Sequence, residues 1–406
     1  MKVVWISNVV FPGVAELIGL KNPVVGGWMY SGAKSLISCG DIDLYVFSFA
    51  NIRAVEKFIV NGINHVLIPK SMVEDSVLRE LRGILPDIVH VHGTEYLHSF
   101  ISIKAAKTLS IPSVVSIQGL VSVCDRYYYG GINFFEMVFN TTLRDIVRRD
   151  TFLHQKINFK NRAKYEVAAI KLVSNVIGRT DWDKFHVSNI NNNIRYFDCN
   201  ETLRDNFYGV NWNYEGCEKN SIFLSQAHYP IKGLHLFLDA LSLIKKKIPD
   251  VSVYIAGNDF VNKKYKNYYA KIVEKKIRKY NLWNNINFCG VLDESGMVSN
   301  YLRANVFVCP SVIENSSNSI SEAQILGVPC VASMVGGVTN MINHMSDGLI
   351  YRLDDPVVMA EYIIKIFRDP SFARNLSSNS VAMAKIRHCA PKNSENLLDI
   401  YKNCIS

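Results

Sequence analysis

Short apolar runs recur along this chain, with helical stretches between them. In the first half they are Val3 to Ser7, Leu44 to Phe49, His65 to Ile68, Asp87 to His92, Ser113 to Ile117 and Ile177 to Arg179. In the second half they are Ser221 to Leu224, Val251 to Ala256, Ile286 to Phe288, Val306 to Cys309, Cys330 to Ala332 and Gly348 to Tyr351. Helical stretches include Ser99 to Thr108, Leu234 to Lys247 and Tyr265 to Tyr280. A strand apolar on both faces must be covered on both faces. That is the condition of a parallel sheet between two layers of helices. The alternation therefore predicts an α/β protein built of doubly wound halves. A length of 406 residues is long for one core and comfortable for two. Ligands bind at the carboxyl ends of such strands, so a cleft between the halves is the expected site.

Composition narrows the class. A hydrophobic content of 49% with 20% charged residues is that of an ordinary globular protein. No run of about 18 apolar residues is free of charges or Gly/Pro breaks, so no membrane span is expected. The start, MKVVWISNVVFPG, reads as a buried strand rather than a signal peptide. Nine scattered cysteines without a C-x-x-C spacing read as reduced, buried thiols of a cytoplasmic protein. The net charge of +9 favours anionic partners such as sugar nucleotides, diphospho-lipids or an anionic inner leaflet. The basic residues form no recognisable nucleic-acid module, so a nucleic-acid partner is not expected.

The stretch 309–337, CPSVIENSSNSISEAQILGVPCVASMVGG, carries the strongest chemical signal. Glu314 and Glu322 stand eight positions apart and flank Asn315-Ser316-Ser317-Asn318-Ser319. Glu322 is read as opening an apolar helical segment that ends at Gly327. Small residues between a strand and a helix let backbone N–H groups point outward, and a helix N-terminus favours phosphate. A carboxylate repels phosphate but accepts two sugar hydroxyls. Each acid also has a plainer reading, Glu322 as a cap of its own helix and Glu314 as a solvated side chain.

With Pro310-Ser311, Gly327-Val328-Pro329 and Gly336-Gly337, this stretch resembles the nucleotide-sugar site of retaining family-4 glycosyltransferases. The form of its acidic loop is similar to the subset from bacterial surface-polysaccharide clusters. The resemblance extends over nearly the whole chain and implies the GT-B fold, two Rossmann-like domains facing a cleft. It implies an acceptor-side domain over 1–205, with 390–406 packing back on it, and a donor-binding domain over 206–389. The polar, aromatic stretch DNFYGVNWNYEGCEKN marks the boundary.

Further elements of the resemblance name further residues. Gly26-Gly27, after Pro23-Val24-Val25, matches a loop that faces the donor diphosphate. Pro86-Asp87-Ile88-Val89-His90-Val91-His92 matches the family's P-D-x-V-H-x-H element. Strand alternation puts both histidines on one side of the sheet, and His92 is the candidate for substrate contact. A His-x-His pair can hold a metal, but no third ligand stands at metal spacing. Gln118 stands where many relatives carry His; it can bond hydroxyls but cannot shuttle a proton at neutral pH. Arg179-Thr180-Asp181-Trp182-Asp183 matches a cleft-floor element. Asp181/Asp183 and Asp41/Asp43 have D-x-D spacing but lack the context of a metal-binding motif. Lys232 matches the cation that clamps the diphosphate; the usual Arg five residues earlier is Ala227 here. Gly257 matches an element beneath the nucleotide, and Gly290-Val291-Leu292 a segment whose backbone reads the base edge.

The resemblance thus implies a metal-independent, retaining transferase without a cofactor, using a UDP- or GDP-linked sugar. Glu314, Lys232 and His92 are the candidate catalytic residues. Glu322, Ser316, Ser317, Asn318, Gly26, Gly27, Gly257, Val291, Gln118 and Arg179 are the candidate donor-binding residues. The acceptor is expected to be a saccharide or a polyprenyl-diphosphate-linked one. Two other readings stay open: a GT-B sugar-nucleotide epimerase, and a non-catalytic GT-B partner subunit. The basic stretch Leu143 to Val173 reads either as a membrane or diphospho-lipid contact or as a helix with a solvated basic face.

Overall fold

The computed structural model describes residues 1–20 and 26–406. Pro23-Val24-Val25, ahead of the glycine pair, lie outside the described residues. The chain divides into two compact units. The first comprises Met1–Val123, Phe159–Arg204 and Arg387–Ser406; the second comprises Cys124–Asn158 and Asp205–Ile386.

The first unit holds an eight-stranded sheet: β1 (Lys2–Ile6), β2 (Asp43–Ala50), β3 (Glu56–Val60), β4 (Ile63–Pro69), β5 (Ile88–His92), β6 (Ser113–Ser116), β7 (Asn175–Gly178) and β8 (Arg195–Asp198). The spatial order is β3-β4-β2-β1-β5-β6-β7-β8. Every pairing is parallel except β3 with β4. Side-chain alternation splits the core between the two faces. Val4, Ile6, Val89 and Val91 pack on one side, and Val3, Trp5, Leu44 and Ile88 on the other. The C-terminal helix Ala390–Ile405 covers the second face: Tyr401 is fully buried and its hydroxyl accepts from Trp5 Nε1 at 2.8 Å.

Two strands differ from the sequence expectation. β3 pairs with β4 through the turn Asn61-Gly62, whose φ angles of 53° and 76° are those of a tight hairpin turn. Asn-Gly between strand-forming residues is a strong hairpin signal, and the sequence reading overlooked it. β8 is an edge strand without a buried residue, so it gives no apolar run.

The second unit holds a six-stranded parallel sheet: β9 (Ser221–Leu224), β10 (Ser252–Ala256), β11 (Ile286–Gly290), β12 (Val306–Cys309), β13 (Cys330–Ser333) and β14 (Leu349–Tyr351). Its order is β11-β10-β9-β12-β13-β14, so the order reverses at β9 and β12. Ligands gather at the carboxyl ends of strands beside such a reversal. Phe223, Phe237, Tyr301 and Phe307 are fully buried around these central strands.

Residues 124–158 pack with the second unit, although a division at 205 would leave them in the first. The reason lies in specific contacts. The buried Asp145 carboxylate accepts the Tyr268 N–H at 2.9 Å, and His235 Nε2 lies 2.8 Å from the Gly130 carbonyl. The stretch 143–173 is not one helix. It forms Leu143–Val147 and Phe152–Leu172, broken by 148–151 with Arg149 at a φ of 50°. The thiols also depart from a uniformly buried set, since Cys39, Cys124, Cys289 and Cys389 are half-buried.

Candidate active site

In the second unit, the carboxyl ends of β9 and β12 bring Lys232 and Glu314 together. Lys232 Nζ lies 2.6 Å from Glu314 Oε1, and Ser311 Oγ donates to the same oxygen at 2.7 Å. Both side chains are mostly buried, at 19% and 14% exposure. Burial alone would lower the Lys232 pKa. The adjacent Glu314 charge outweighs it, so the ammonium titrates above its usual range. Backbone bonds fix the two loops. The Val312 N–H donates to the Ile231 carbonyl at 2.7 Å, and the Gly337 N–H to the Glu314 carbonyl at 3.0 Å.

Two glycines make this approach possible. Gly233 has a φ of 71°, and a Cβ there would strike the Pro310 carbonyl oxygen. Gly336, at a φ of 52°, meets the Glu314 carbonyl in the same way. Both conformations are disfavoured for any side chain, and neither loop has room for one. Gly233→Ala is therefore expected to destabilise the second unit by about 2–4 kcal/mol. Thermal unfolding checks it: an unchanged midpoint would mean that the two loops are not held this closely.

Helix Asn318–Leu326 begins four residues before Glu322, so Glu322 sits in its second turn rather than opening it. The helix begins inside the Asn and Ser tract read as pre-helical, with Ser317 at the N-cap position in an extended conformation. Glu322 is buried, with Tyr301 Oη 3.4 Å from its Oε2. The Ser317 N–H donates to Met341 Sδ at 3.2 Å, a weak acceptor that a phosphate or sugar oxygen can displace. Ser316 and Asn318 are half-buried beside it. Gly257 has a φ of 106° and its N–H donates to the Gly290 carbonyl at 2.8 Å, next to the exposed Val291.

Ala227, at the place of the missing cation, is buried. Its neighbour His228 is held below its usual pKa by partial desolvation, then by the charges of Lys232 and Lys263. It is therefore no fixed cation at neutral pH. Lys263, which the sequence reading did not single out, is the second positive charge close to this position. It lies in an irregular loop with no motif to mark it.

The first unit gathers a second group of candidates. The rings of His90 and His92 lie with centroids 3.9 Å apart, tilted by 33°. His90 is bonded on both nitrogens, to Tyr401 Oη and Ser116 Oγ, each at 2.6 Å. His92 packs against Trp5, and neither of its nitrogens has a hydrogen-bond partner among the described residues. Burial holds the His92 pKa down at about 3, so the ring is neutral. Gln118 and Arg179 meet at a residue the sequence reading missed. Glu201 Oε1 accepts from Gln118 Nε2 at 2.7 Å, and Oε2 pairs with Arg179 Nη1 at 2.6 Å. No motif marks Glu201; only the fold brings it beside β6 and β7. His92, Arg179 and Glu201, with Trp28 and Met29, line a cavity of about 50 Å³, room for a few waters. Trp28 and Met29 follow Gly26, at a φ of 77°, and Gly27 into the helix Gly27–Cys39.

The acidic pairs keep to structural work where their partners are visible. The buried Asp183 carboxylate accepts the Arg179 N–H at 3.1 Å and the Tyr196 hydroxyl. Among the described residues no group of three or more His, Cys, Asp or Glu is placed to hold a metal ion.

Comparison with known proteins agrees with this layout. Residues 215–383 match the family described as glycosyl transferases group 1. The chain is 23% identical over 327 residues to a 2-deoxystreptamine N-acetyl-D-glucosaminyltransferase of Niallia circulans, covering 77% of this chain and 75% of that one. Its fold is similar to sucrose-phosphate synthase of Thermosynechococcus elongatus, with a TM-score of 0.71 and 15% identity over 99% of this chain and 98% of that one. It is similar also to HepE of Anabaena, solved with UDP and glucose, with a TM-score of 0.69 and 16% identity over 99% and 100% of the two chains. A glycosyl transferases group 1 domain within a chain of the GT-B fold makes this protein a glycosyltransferase.

Proposed function

We propose that this glycosyltransferase moves a sugar, with retention of anomeric configuration, from a UDP- or GDP-linked donor to a saccharide or lipid-linked saccharide acceptor in bacterial polysaccharide synthesis. The reaction would run at the cytoplasmic side, without metal or cofactor. The observation that carries the reading is the Lys232–Glu314–Ser311 cluster at the topological switch of the second sheet.

The parts divide the work by charge. Lys232 has three donor hydrogens, of which Glu314 engages one, leaving two for diphosphate oxygens. Glu314 would accept a hydroxyl of the donor sugar, and Glu322 the two ribose hydroxyls. The N–H groups at Ser316, Ser317 and Asn318 would meet sugar and phosphate oxygens at the helix start. Gly257 and Val291 would offer backbone to the nucleotide. Lys263 would supply the second positive charge that Ala227 cannot. In the first unit, neutral His92 with Gln118 and Arg179 would bind acceptor or sugar hydroxyls, while Gly26 and Gly27 would approach the diphosphate. The UDP bound to HepE makes uracil the first base to test.

The test is the product. Incubation with UDP-glucose and the other common sugar nucleotides, over a panel of saccharide and polyprenyl-diphosphate acceptors, should give a glycoside with the donor's anomeric configuration by NMR. An inverted product would refute retention. Conversion of a sugar nucleotide without acceptor would point instead to the epimerase reading. Lys263→Ala should raise the KM for donor about tenfold, the loss of one charge-assisted contact; an unchanged KM would remove Lys263 from the clamp.

A further inference from the structure

The second unit carries an apolar surface that its own fold does not cover. Two short helices, Phe134–Asn140 and Leu143–Val147, bury one face against the unit through Met137, Asn140 and Asp145. Their other face is also apolar. Phe135, Phe139, Leu143 and Val147 are 67%, 80%, 77% and 75% exposed, with Phe134 and Ile146 beside them above half. Leu153 and Ile157, on the first turns of Phe152–Leu172, extend the same sequence stretch at 50% and 55%. A helix facing water on one side normally carries polar residues there. A concentration of large exposed side chains marks an interaction surface.

The charges nearby name the partner. Phe139 opens onto a groove of about 360 Å³ shared with the helix Tyr268–Lys279 and rimmed by Lys271, Lys275 and Arg278. Arg278 is paired with Glu274, but Lys271 and Lys275 are exposed and have no ion-pair partner among the described residues. Arg148 and Arg149, just after the second short helix, are exposed and unpaired in the same sense. Of the three acids of the stretch, Asp145 is buried, Asp150 is paired with Arg144 at 3.0 Å and Glu136 is half-buried, against the exposed cations Arg148, Arg149, Lys271 and Lys275. Aromatic and aliphatic side chains ringed by free cations match an anionic bilayer surface, with rings at the acyl boundary and cations at the headgroup phosphates.

We infer that the face formed by residues 134–157, with Lys271 and Lys275 at its rim, docks this protein on an anionic membrane leaflet. Among the described residues no helix is long and apolar enough to cross a membrane, so the contact is interfacial. This inference does not rest on the donor or acceptor chemistry.

The test is co-sedimentation of the full chain with phosphatidylcholine vesicles, with and without phosphatidylglycerol, beside light scattering of the protein alone. The protein should pellet with the anionic vesicles. Phe139→Asp with Val147→Asp should lower the partition coefficient at least about 30-fold, since each change withdraws one large apolar group. Lys271→Ala with Lys275→Ala should lower it about tenfold and remove most of its salt dependence. All four side chains are exposed, so the thermal midpoint should stay put and separate binding from folding. Three results would overturn the inference: no pelleting, equal pelleting with neutral vesicles, or a dimer in solution that the Phe139→Asp, Val147→Asp variant dissolves. The last would make the face a contact between two copies of this chain.

Discussion

Lys232→Ala lowers turnover by roughly 100- to 1000-fold, the size of effect found when one preorganised donor to a developing charge is removed. The loss falls on kcat, because the ammonium matters most as the diphosphate departs. The pair with Glu314 sharpens the prediction. Glu314 Oε1 takes hydrogen bonds from both Lys232 and Ser311, so it orients the ammonium, and in the proposed reaction it would also meet the sugar. Glu314→Gln therefore produces a loss of similar size, and the double variant is far less than the product of the two, since groups acting as a unit are not additive. Release of nucleoside diphosphate by parent, single and double variants gives the cycle. Lys232→Ala within about threefold of the parent would remove Lys232 from the chemistry.

Acid should unfold the first unit well before it would unfold an ordinary domain. Five histidines there are held neutral, chiefly by burial: His65, His98 and His388 near a pKa of about 4, His92 near about 3, and His90 well below 6.5. In the unfolded chain each returns to about 6.5 and takes up a proton. The unfolded state then binds more protons than the native one, so stability is full above pH 6.5 and is lost as pH falls below it. Each contributes a loss on the order of 1 kcal/mol at pH 5.5. Two buried carboxyls oppose them. Burial raises Glu95 to about 7 and also raises Glu166, so both favour the folded state as pH falls toward 4.5. The five imidazoles outweigh the two carboxyls, so the balance is a net loss on the order of a few kcal/mol by pH 5.5 and more below it. A unit of this size should lose about 8–16 °C in Tm between pH 7.5 and 5.5. A flat Tm over that window would mean that these imidazoles titrate normally.

Much of the fold was legible because parallel strands write themselves as apolar runs. Every run read as a strand lies in or against one of the two sheets. The two strands left out carry a different code: β3 is announced by a turn rather than by apolarity, and β8 by neither. Glu314, Lys232 and Glu322 could be singled out because strand-loop-helix spacing marks each locally, and the structure brings Lys232 and Glu314 together and buries Glu322. Glu201 and Lys263 were not, because their relation to Arg179 and His228 exists only after distant segments fold together. The allegiance of residues 124–158 was equally hidden. It depends on Asp145 reaching a backbone N–H at Tyr268, 123 residues away, and no local pattern encodes that.

The measurement that bears most directly on the account is the thermal midpoint of the purified chain against UDP, GDP, ADP and their common sugars, repeated on Glu322→Ala. The account predicts that one nucleotide raises the midpoint of the parent and fails to raise that of the variant. A ligand at about 100 times its Kd adds about 2.7 kcal/mol, well within reach of the assay. Equal shifts in parent and variant would contradict the placement of the ribose at Glu322. No shift with any nucleotide would contradict the donor site itself and turn the reading toward a non-catalytic partner subunit.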